Sequence, residues 1–211
     1  MIAYCISGLG ADERVFAALR LQHEVVPIHW LTPLPKETLD HYCQRLITQI
    51  DTSKDFLLIG VSFGGMIACE LNRYIKPKQT IIISSAAQTS ELHFLYKVMG
   101  TIKLASWLPE FMLFPPLPLL NYLFGVQTPE HKILLKNISA DTDPVFARWA
   151  IDKITHWKND RIPDHLVRIH GDKDKVLSYH TPETHVIKGG EHFMIVDRAD
   201  EISAIINHLS R

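Results

Sequence analysis

Ser62 lies in a glycine-rich turn between an apolar run at 56–61 and a helical pattern that begins at Phe63. A tight strand-to-helix turn of the form G-x-S-x-G strains the serine backbone, and Gly60 and Gly64 remove side chains that would collide there. The serine hydroxyl is then exposed at the amino end of a helix, where the NH of Phe63 faces developing negative charge. The pattern predicts a nucleophile; a plain turn that cradles a phosphate is the alternative.

A serine of this kind needs a base, and the chain has 12 histidines. His192 follows Gly189 and Gly190, between the last predicted strand and the last predicted helix. The two glycines let that loop fold over the carboxyl ends of the strands, where Ser62 is also expected. We therefore predict that His192 is the base, with His170 as a rival close to the site.

The base needs a carboxylate that fixes its tautomer. Asp172 and Asp174 lie in the loop that leaves the predicted strand at 166–170. We favour Asp174, because an acid three residues beyond Gly171 turns back toward the sheet more easily. Asp172 stays open as the alternative, and both residues are also common in plain solvent-facing turns.

A second donor for an oxyanion is expected after the first strand, where the sequence reads Ser7-Gly8-Leu9-Gly10. Glycines there free the backbone to point NH groups into the site, so we nominate the NH of Leu9 beside that of Phe63. The alternative is a simple strand-to-helix turn in which Asp12 caps the next helix.

Short apolar runs that alternate with helical patterns predict a parallel sheet with helices on both faces. The four helical patterns cover 12–21, 38–50, 63–74 and 200–209. We expect Pro77 to end the third of these helices. Six strands are predicted at about 2–7, 24–28, 56–61, 79–85, 166–170 and 184–188.

The chain resembles the α/β-hydrolase superfamily in the order of three segments: the turn at Ser62, the Gly-Asp-Lys-Asp loop at 171–174 and the Gly-Glu-His loop at 190–192. The resemblance implies an α/β-hydrolase fold with a mostly parallel six-stranded sheet, and acyl transfer through an acyl-enzyme with no metal and no organic cofactor. Two features depart from the family. Ser7 stands where a histidine often precedes the glycine, and the two opening strands usual in the family are missing.

The alternation of strands and helices fails between about 88 and 160, which predicts a helical cap inserted between core segments 1–87 and 161–211. A cap in this family normally roofs the nucleophile. Its apolar stretch therefore suggests a pocket for small to medium apolar esters, with candidate substrate contacts at Trp107, Phe111 and Phe114. Ordinary core packing explains most of these apolar residues equally well.

Composition and charge bear on the partners and the location of the protein. The chain of 211 residues has a net charge of −1, and its densest basic stretch, 153–175, is interleaved with acids, which argues against a nucleic-acid partner. Prolines interrupt the apolar stretch 104–126, which argues against stable membrane insertion. The spacings of the three cysteines match neither a metal site nor a redox pair, and the first residues do not resemble a leader. We therefore predict a cytoplasmic protein with reduced thiols. No feature indicates an oligomeric state.

The function that these observations favour is hydrolysis of carboxylic esters or thioesters. The same scaffold also supports lyase, C–C hydrolase or perhydrolase chemistry. A binding module that keeps the pocket without turnover is a further alternative.

Overall fold

The computed structural model describes residues 1–93, 109, 113–178 and 181–210. Six strands form a single sheet in the order β2-β1-β3-β4-β5-β6, and every neighbouring pair is parallel. The predicted six-stranded parallel sheet is therefore confirmed. The strands are β1 (Ile2–Ile6), β2 (Glu24–Ile28), β3 (Phe56–Val61), β4 (Gln79–Ile83), β5 (Leu166–Gly171) and β6 (Thr184–Ile187).

The described residues also form seven α-helices. They are α1 (Leu39–Leu46), α2 (Phe63–Leu71), α3 (Leu117–Phe124), α4 (Pro129–Ala140), α5 (Pro144–Thr155), α6 (Met194–Asp197) and α7 (Ala199–Leu209). Capping residues explain where three of these helices begin. Thr38 Oγ1 accepts the NH of His41 at the start of α1. Thr128 caps α4 and Asp143 caps α5, and in both helices a proline follows the cap.

Two of the helical predictions need correction. Residues 12–21 do not form an α-helix; a 3₁₀ turn at Glu13–Phe16 follows Asp12, whose carboxylate accepts the NH of Arg14 at 3.0 Å. Asp12 is therefore a cap, as the alternative interpretation held, but it caps only one short turn. Helix α2 ends at Leu71, well before Pro77, so the proline does not terminate it.

Alternate residues of the central strands pack on opposite faces of the sheet. In β1, Ala3 and Cys5 belong to one apolar cluster, whereas Tyr4 and Ile6 belong to the other. Helices α6 and α7 cover the first face, and α1 and α2 cover the second. All residues of β3 are buried, which is expected for a central parallel strand covered on both sides.

The connection from β4 to β5 contains α3, α4 and α5, and the described part of it contains no strand. The division into a core and a cap at 88–160 stays a prediction. Among the residues that the structure describes, no helix has the length and apolar character that crossing a bilayer requires.

The three cysteines are free and buried. Burial raises the pKa of the Cys5 and Cys69 thiols to about 12, and it raises the pKa of Cys43 as well. Each thiol therefore stays protonated at neutral pH and packs as a small apolar side chain.

Candidate functional site

The site lies at the carboxyl ends of the strands, where the strand order changes direction. The chain leaves β1 for β2 on one side and later returns to place β3 on the other side of β1. Ligands of open α/β sheets bind at such a switch point. Leu9 follows β1 and Ser62 follows β3, so these two residues border it.

Ser62 has φ 51° and ψ −121°, a backbone conformation that a non-glycine residue rarely adopts. Its NH donates to Ile83 O at 3.0 Å, which ties the strained turn to β4. A Cβ on Gly60 would lie 2.3 Å from the carbonyl oxygen of Gly64 across the turn. A Cβ on Gly64 would instead lie 2.2 Å from the carbonyl oxygen of Ser7 and 2.3 Å from that of Ile6, so this second glycine is needed where α2 packs on the end of β1.

Three side chains from distant parts of the chain form one line of hydrogen bonds. His192 Nε2 lies 3.0 Å from Ser62 Oγ, and His192 Nδ1 lies 2.8 Å from Asp174 Oδ2. The Asp174 side chain is fully buried and that of His192 is nearly so. Because a carboxylate only accepts, Nδ1 carries a hydrogen and Nε2 of the neutral ring is an acceptor for the Ser62 hydroxyl.

The other oxygen of Asp174 is also satisfied. Asp174 Oδ1 accepts the NH groups of Val176 at 2.8 Å and Leu177 at 2.9 Å. Burial alone would raise the pKa of Asp174, but the electrostatic interaction with His192 and hydrogen bonds from His170, His192 and the Leu177 NH outweigh it. The pKa of Asp174 therefore lies well below its ordinary value, and the group is a carboxylate at neutral pH.

Backbone contacts join the acid loop to the histidine loop. A Cβ on Gly171 would lie 2.1 Å from the carbonyl oxygen of Gly190, so only a glycine allows this approach. The NH of Lys173 donates to Gly190 O at 2.9 Å, and Asp172 Oδ1 accepts the NH of Gly189 at 2.6 Å. Asp172 thus supports the histidine loop at an exposed position and does not contact the imidazole of the site.

The loop after β1 packs directly on the serine. A Cβ on Gly8 would lie 3.2 Å from Ser62 Cβ, so the Gly8–Leu9 backbone passes close to the hydroxyl. Buried Ser7 fixes this loop, because its Oγ donates to Ala11 O at 2.8 Å and accepts from Trp30 Nε1 at 2.9 Å.

The indole of Trp30 also stacks on the ring of Phe63, with ring centroids 5.6 Å apart. Phe63 is the first residue of α2, and the first NH groups of a helix have no acceptor within it. Trp30 therefore contacts both segments that carry a nominated oxyanion donor, a role that no sequence pattern predicted.

A cavity of about 420 Å³ opens onto Ser62 and His192. Leu9, Phe63 and Phe114 line it as well, and the Phe114 ring rests against Gly10. Its other lining residues are Met66, Leu92, Leu113, Pro115, Leu120, Leu123, Phe124, Ile151, Ile154, Thr155, Val176 and Leu177. Trp107 and Phe111, the other two predicted substrate contacts, lie outside the described residues.

Phe124 contacts the site but is not among the three substrate contacts that the sequence predicted. Its ring meets that of His192 edge to face at a centroid distance of 4.9 Å, and its carbonyl oxygen accepts the NH of Phe193 at 3.0 Å. With Leu120 and Leu123 it forms the i, i+3, i+4 face of α3 that lines the cavity. That spacing was available in the sequence once the bounds of the helix were known.

No protein-family model and no curated protein sequence matches this chain. Solved structures do resemble it. An esterase from Exiguobacterium antarcticum is 15% identical, with a TM-score of 0.71 over 100% of this chain and 92% of that chain. A thermophilic esterase from Thermogutta terrifontis is 14% identical, with a TM-score of 0.66 over 99% and 88%. A meta-cleavage product hydrolase from Pseudomonas fluorescens IP01 is 15% identical, with a TM-score of 0.67 over 99% and 90%.

At these low identities, the structural similarity shows the fold alone. The chain has the α/β-hydrolase fold that its sequence predicts, with an all-parallel sheet of six strands.

Proposed function

We propose that this protein is a serine hydrolase that cleaves carboxylic esters or thioesters with apolar groups through an acyl-enzyme. Ser62 is the nucleophile, His192 the general base and Asp174 the acid that orients the base. The observation that carries the proposal is the unbroken line from Asp174 Oδ2 to His192 Nδ1 at 2.8 Å and from His192 Nε2 to Ser62 Oγ at 3.0 Å, facing an apolar cavity.

Acylation begins when Ser62 Oγ attacks the carbonyl carbon of the substrate while His192 Nε2 takes the hydroxyl proton. The carbonyl oxygen becomes an oxyanion, and the NH groups of Leu9 and Phe63 donate to it. The imidazolium, paired with Asp174, then protonates the leaving alcohol or thiol as the bond to carbon breaks.

Deacylation repeats these steps with water. His192 removes a proton from the water, the resulting hydroxide attacks the acyl carbon, and the bond to Ser62 Oγ breaks as the imidazolium returns the proton. Every proton moves through one imidazole, so no cofactor takes part in the proposed route.

We also propose that residues 88–160 act as the cap over this site. Leu113, Phe114, Leu120 and Phe124 come from this segment and line the cavity. Apart from His192, the cavity residues in the described part of the chain carry no ionisable side chain. The proposed partner is therefore a small apolar ester or thioester.

Labelling with a fluorescent fluorophosphonate tests whether Ser62 is activated, because such probes react quickly only with a serine that has a base and an oxyanion site. We expect one label per chain on Ser62. A protein that binds ligands without turnover would stay unlabelled. A panel of esters, thioesters, amides and cyanohydrins then separates hydrolysis from lyase chemistry on the same triad.

The apolar cavity predicts that p-nitrophenyl butyrate is cleaved with a kcat/KM about tenfold above that of the acetate. The reason is that each buried methylene contributes ~0.8 kcal/mol of transfer free energy. The octanoate tests the length limit of the cavity. A matched p-nitrophenyl ester whose acyl group ends in a carboxylate is the control, and this ester is expected to react most slowly. A charged ester that reacts faster than all three apolar ones would contradict the proposed specificity.

Ser7→Ala should lower kcat about tenfold with little change in KM, because the loop that carries the Leu9 NH loses its hydrogen bonds to Ala11 and Trp30. The expected loss is a fraction of the ~10²–10³ that removing a whole oxyanion donor costs. The unpaired groups should also lower the free energy of unfolding by about 1–3 kcal/mol. Trp30→Phe keeps an aromatic ring beside Phe63 but loses the indole NH and part of the ring system. The bond from Ser7 to Ala11 remains, so kcat should fall less than in Ser7→Ala. An unchanged kcat in Ser7→Ala would rule out this role for the hydroxyl.

A further inference from the structure

A second histidine, His170, contacts the acid of the site. His170 lies on β5, is buried, and precedes Asp174 by four residues. Its Nε2 lies 2.8 Å from the carbonyl oxygen of Leu177 and 3.2 Å from Asp174 Oδ2. The sequence left His170 open as a rival for the role of base. In the structure, the ring of His170 contacts Asp174, and His192 is the ring that hydrogen-bonds to Ser62.

The partners of His170 fix the position of its proton. A carbonyl oxygen only accepts hydrogen bonds, so Nε2 must carry the hydrogen that is donated to Leu177 O. The positive end of the same N–H dipole lies beside Asp174 Oδ2 at 3.2 Å. This is the oxygen that also accepts from His192 Nδ1 at 2.8 Å, so two imidazole rings share one carboxylate oxygen.

His170 also stabilises the turn that supplies the backbone donors of the acid. The carbonyl of Leu177 accepts from the His170 ring, while the NH of Leu177 donates to Asp174 Oδ1 at 2.9 Å. Loss of the His170 ring would therefore affect both oxygens of Asp174, one through space and one through the turn.

We propose that His170 is a positioning residue of this site: it carries a hydrogen on Nε2, fixes the 174–177 turn through Leu177, and competes with His192 for Asp174 Oδ2. The proposal rests on the triad proposed above. The hydrogen on His170 Nε2 partly offsets the negative charge of Asp174 Oδ2. The carboxylate therefore stabilises the imidazolium form of His192 less than it would without His170. Removing the His170 N–H should make His192 hold its proton to higher pH.

Other ionisable groups surround these side chains. Lys175 pairs with Glu191 next to His192, Asp172 accepts from the Gly189 NH, and His131 on α4 faces the ring of Phe193. Within the described ranges, His170 and His192 are the basic side chains that lie within ion-pair distance of Asp174. A change at His170 therefore acts on the acid directly.

The test compares the His192 imidazole titration, followed by NMR of the ring nuclei, in the wild type and three variants. His170→Phe fills the space of the ring without a donor, and His170→Asn is a smaller variant whose amide is too short to replace Nε2. His170→Gln places an NH near the original Nε2 and is the matched control. We expect the midpoint to rise by about half a pH unit or more in the Phe and Asn variants, and to stay near the wild-type value in the Gln variant.

Kinetics provide the second readout. His170→Phe should lower kcat about tenfold with KM little changed, move the acid limb of kcat/KM to higher pH, and recover in His170→Gln. A midpoint that does not rise in either donor-free variant, or that moves equally in the Gln variant, would overturn the proposal even if activity falls. The NMR titration needs no turnover, so it is separate from the failure of the proposed function, which would appear as an unlabelled Ser62.

Discussion

Replacing Ser62 by Ala is expected to lower kcat for p-nitrophenyl butyrate by at least about 10⁴-fold and to abolish fluorophosphonate labelling. The reason is that Ser62 Oγ is the hydroxyl that lies 3.0 Å from His192 Nε2, so its removal takes away the proposed nucleophile. His192→Ala should cost a similar factor, because the hydroxyl then has no acceptor for its proton. The two residues act as a unit, so the double variant should be hardly slower than either single one.

The matched control is Ser90→Ala, which removes an exposed hydroxyl that does not line the cavity and should leave kcat unchanged. Thermal unfolding of Ser62→Ala should resemble that of the wild type, because the strained backbone at position 62 is the same for both side chains. If Ser62→Ala kept a substantial fraction of the wild-type kcat while folded, Ser62 would not be the nucleophile.

Asp174→Asn is expected to lower kcat by roughly 10³–10⁴ at neutral pH. An amide is neutral and can present an NH2 to His192, which removes the stabilisation of the imidazolium and favours the wrong tautomer. Asp172→Asn is the matched control, because an Asn oxygen can still accept the NH of Gly189 that Asp172 Oδ1 now accepts at 2.6 Å. It should keep kcat within about threefold, since this group does not contact His192.

The comparison decides between the two acids that the sequence left open. A larger loss in Asp172→Asn than in Asp174→Asn would reverse the assignment. Stability gives an independent check. Because the pKa of Asp174 is lower in the folded protein than the unfolded value of ~3.9, its ionised form stabilises the fold above that pH and loses this contribution as the pH falls further. Acid unfolding curves of Asp174→Asn should lack that component.

The sequence predicted the sheet and the three residues of the hydrogen-bonded line because the constraints on them are local. A glycine at 60 and at 64 is required by contacts of 2.3 Å and 2.2 Å that a Cβ would make, and such requirements leave a visible pattern. The same holds for Gly171 against Gly190. The order of the three loops then followed from the alternation of strands and helices.

Other features depend on tertiary packing and left no such pattern. The apolar spacing at 12–21 predicted a helix, but only a 3₁₀ turn forms, in which Arg14 also bonds to Asp12 and to Asp141 of a distant helix end. In α3, Leu119 and Tyr122 are exposed although Leu123 lines the cavity. Which apolar residues face inward was decided by the placement of the helix, which composition does not encode.

The substitution of Ser7 for the expected histidine has a structural counterpart. Its hydroxyl bonds to Ala11 and to Trp30, and the indole of Trp30 reaches Phe63. Support for the loop after β1 therefore comes from a tryptophan two residues beyond the end of the neighbouring strand β2.

The burial of Cys5, Cys43 and Cys69 offers a convenient reporter. Maleimide reacts with an accessible thiolate, so it should leave the native molecule unmodified and alkylate it only when the sheet opens. The rate of alkylation would then measure how often each variant opens globally. Read beside an ester assay, it would distinguish a substitution that slows bond cleavage from one that merely depletes the native population.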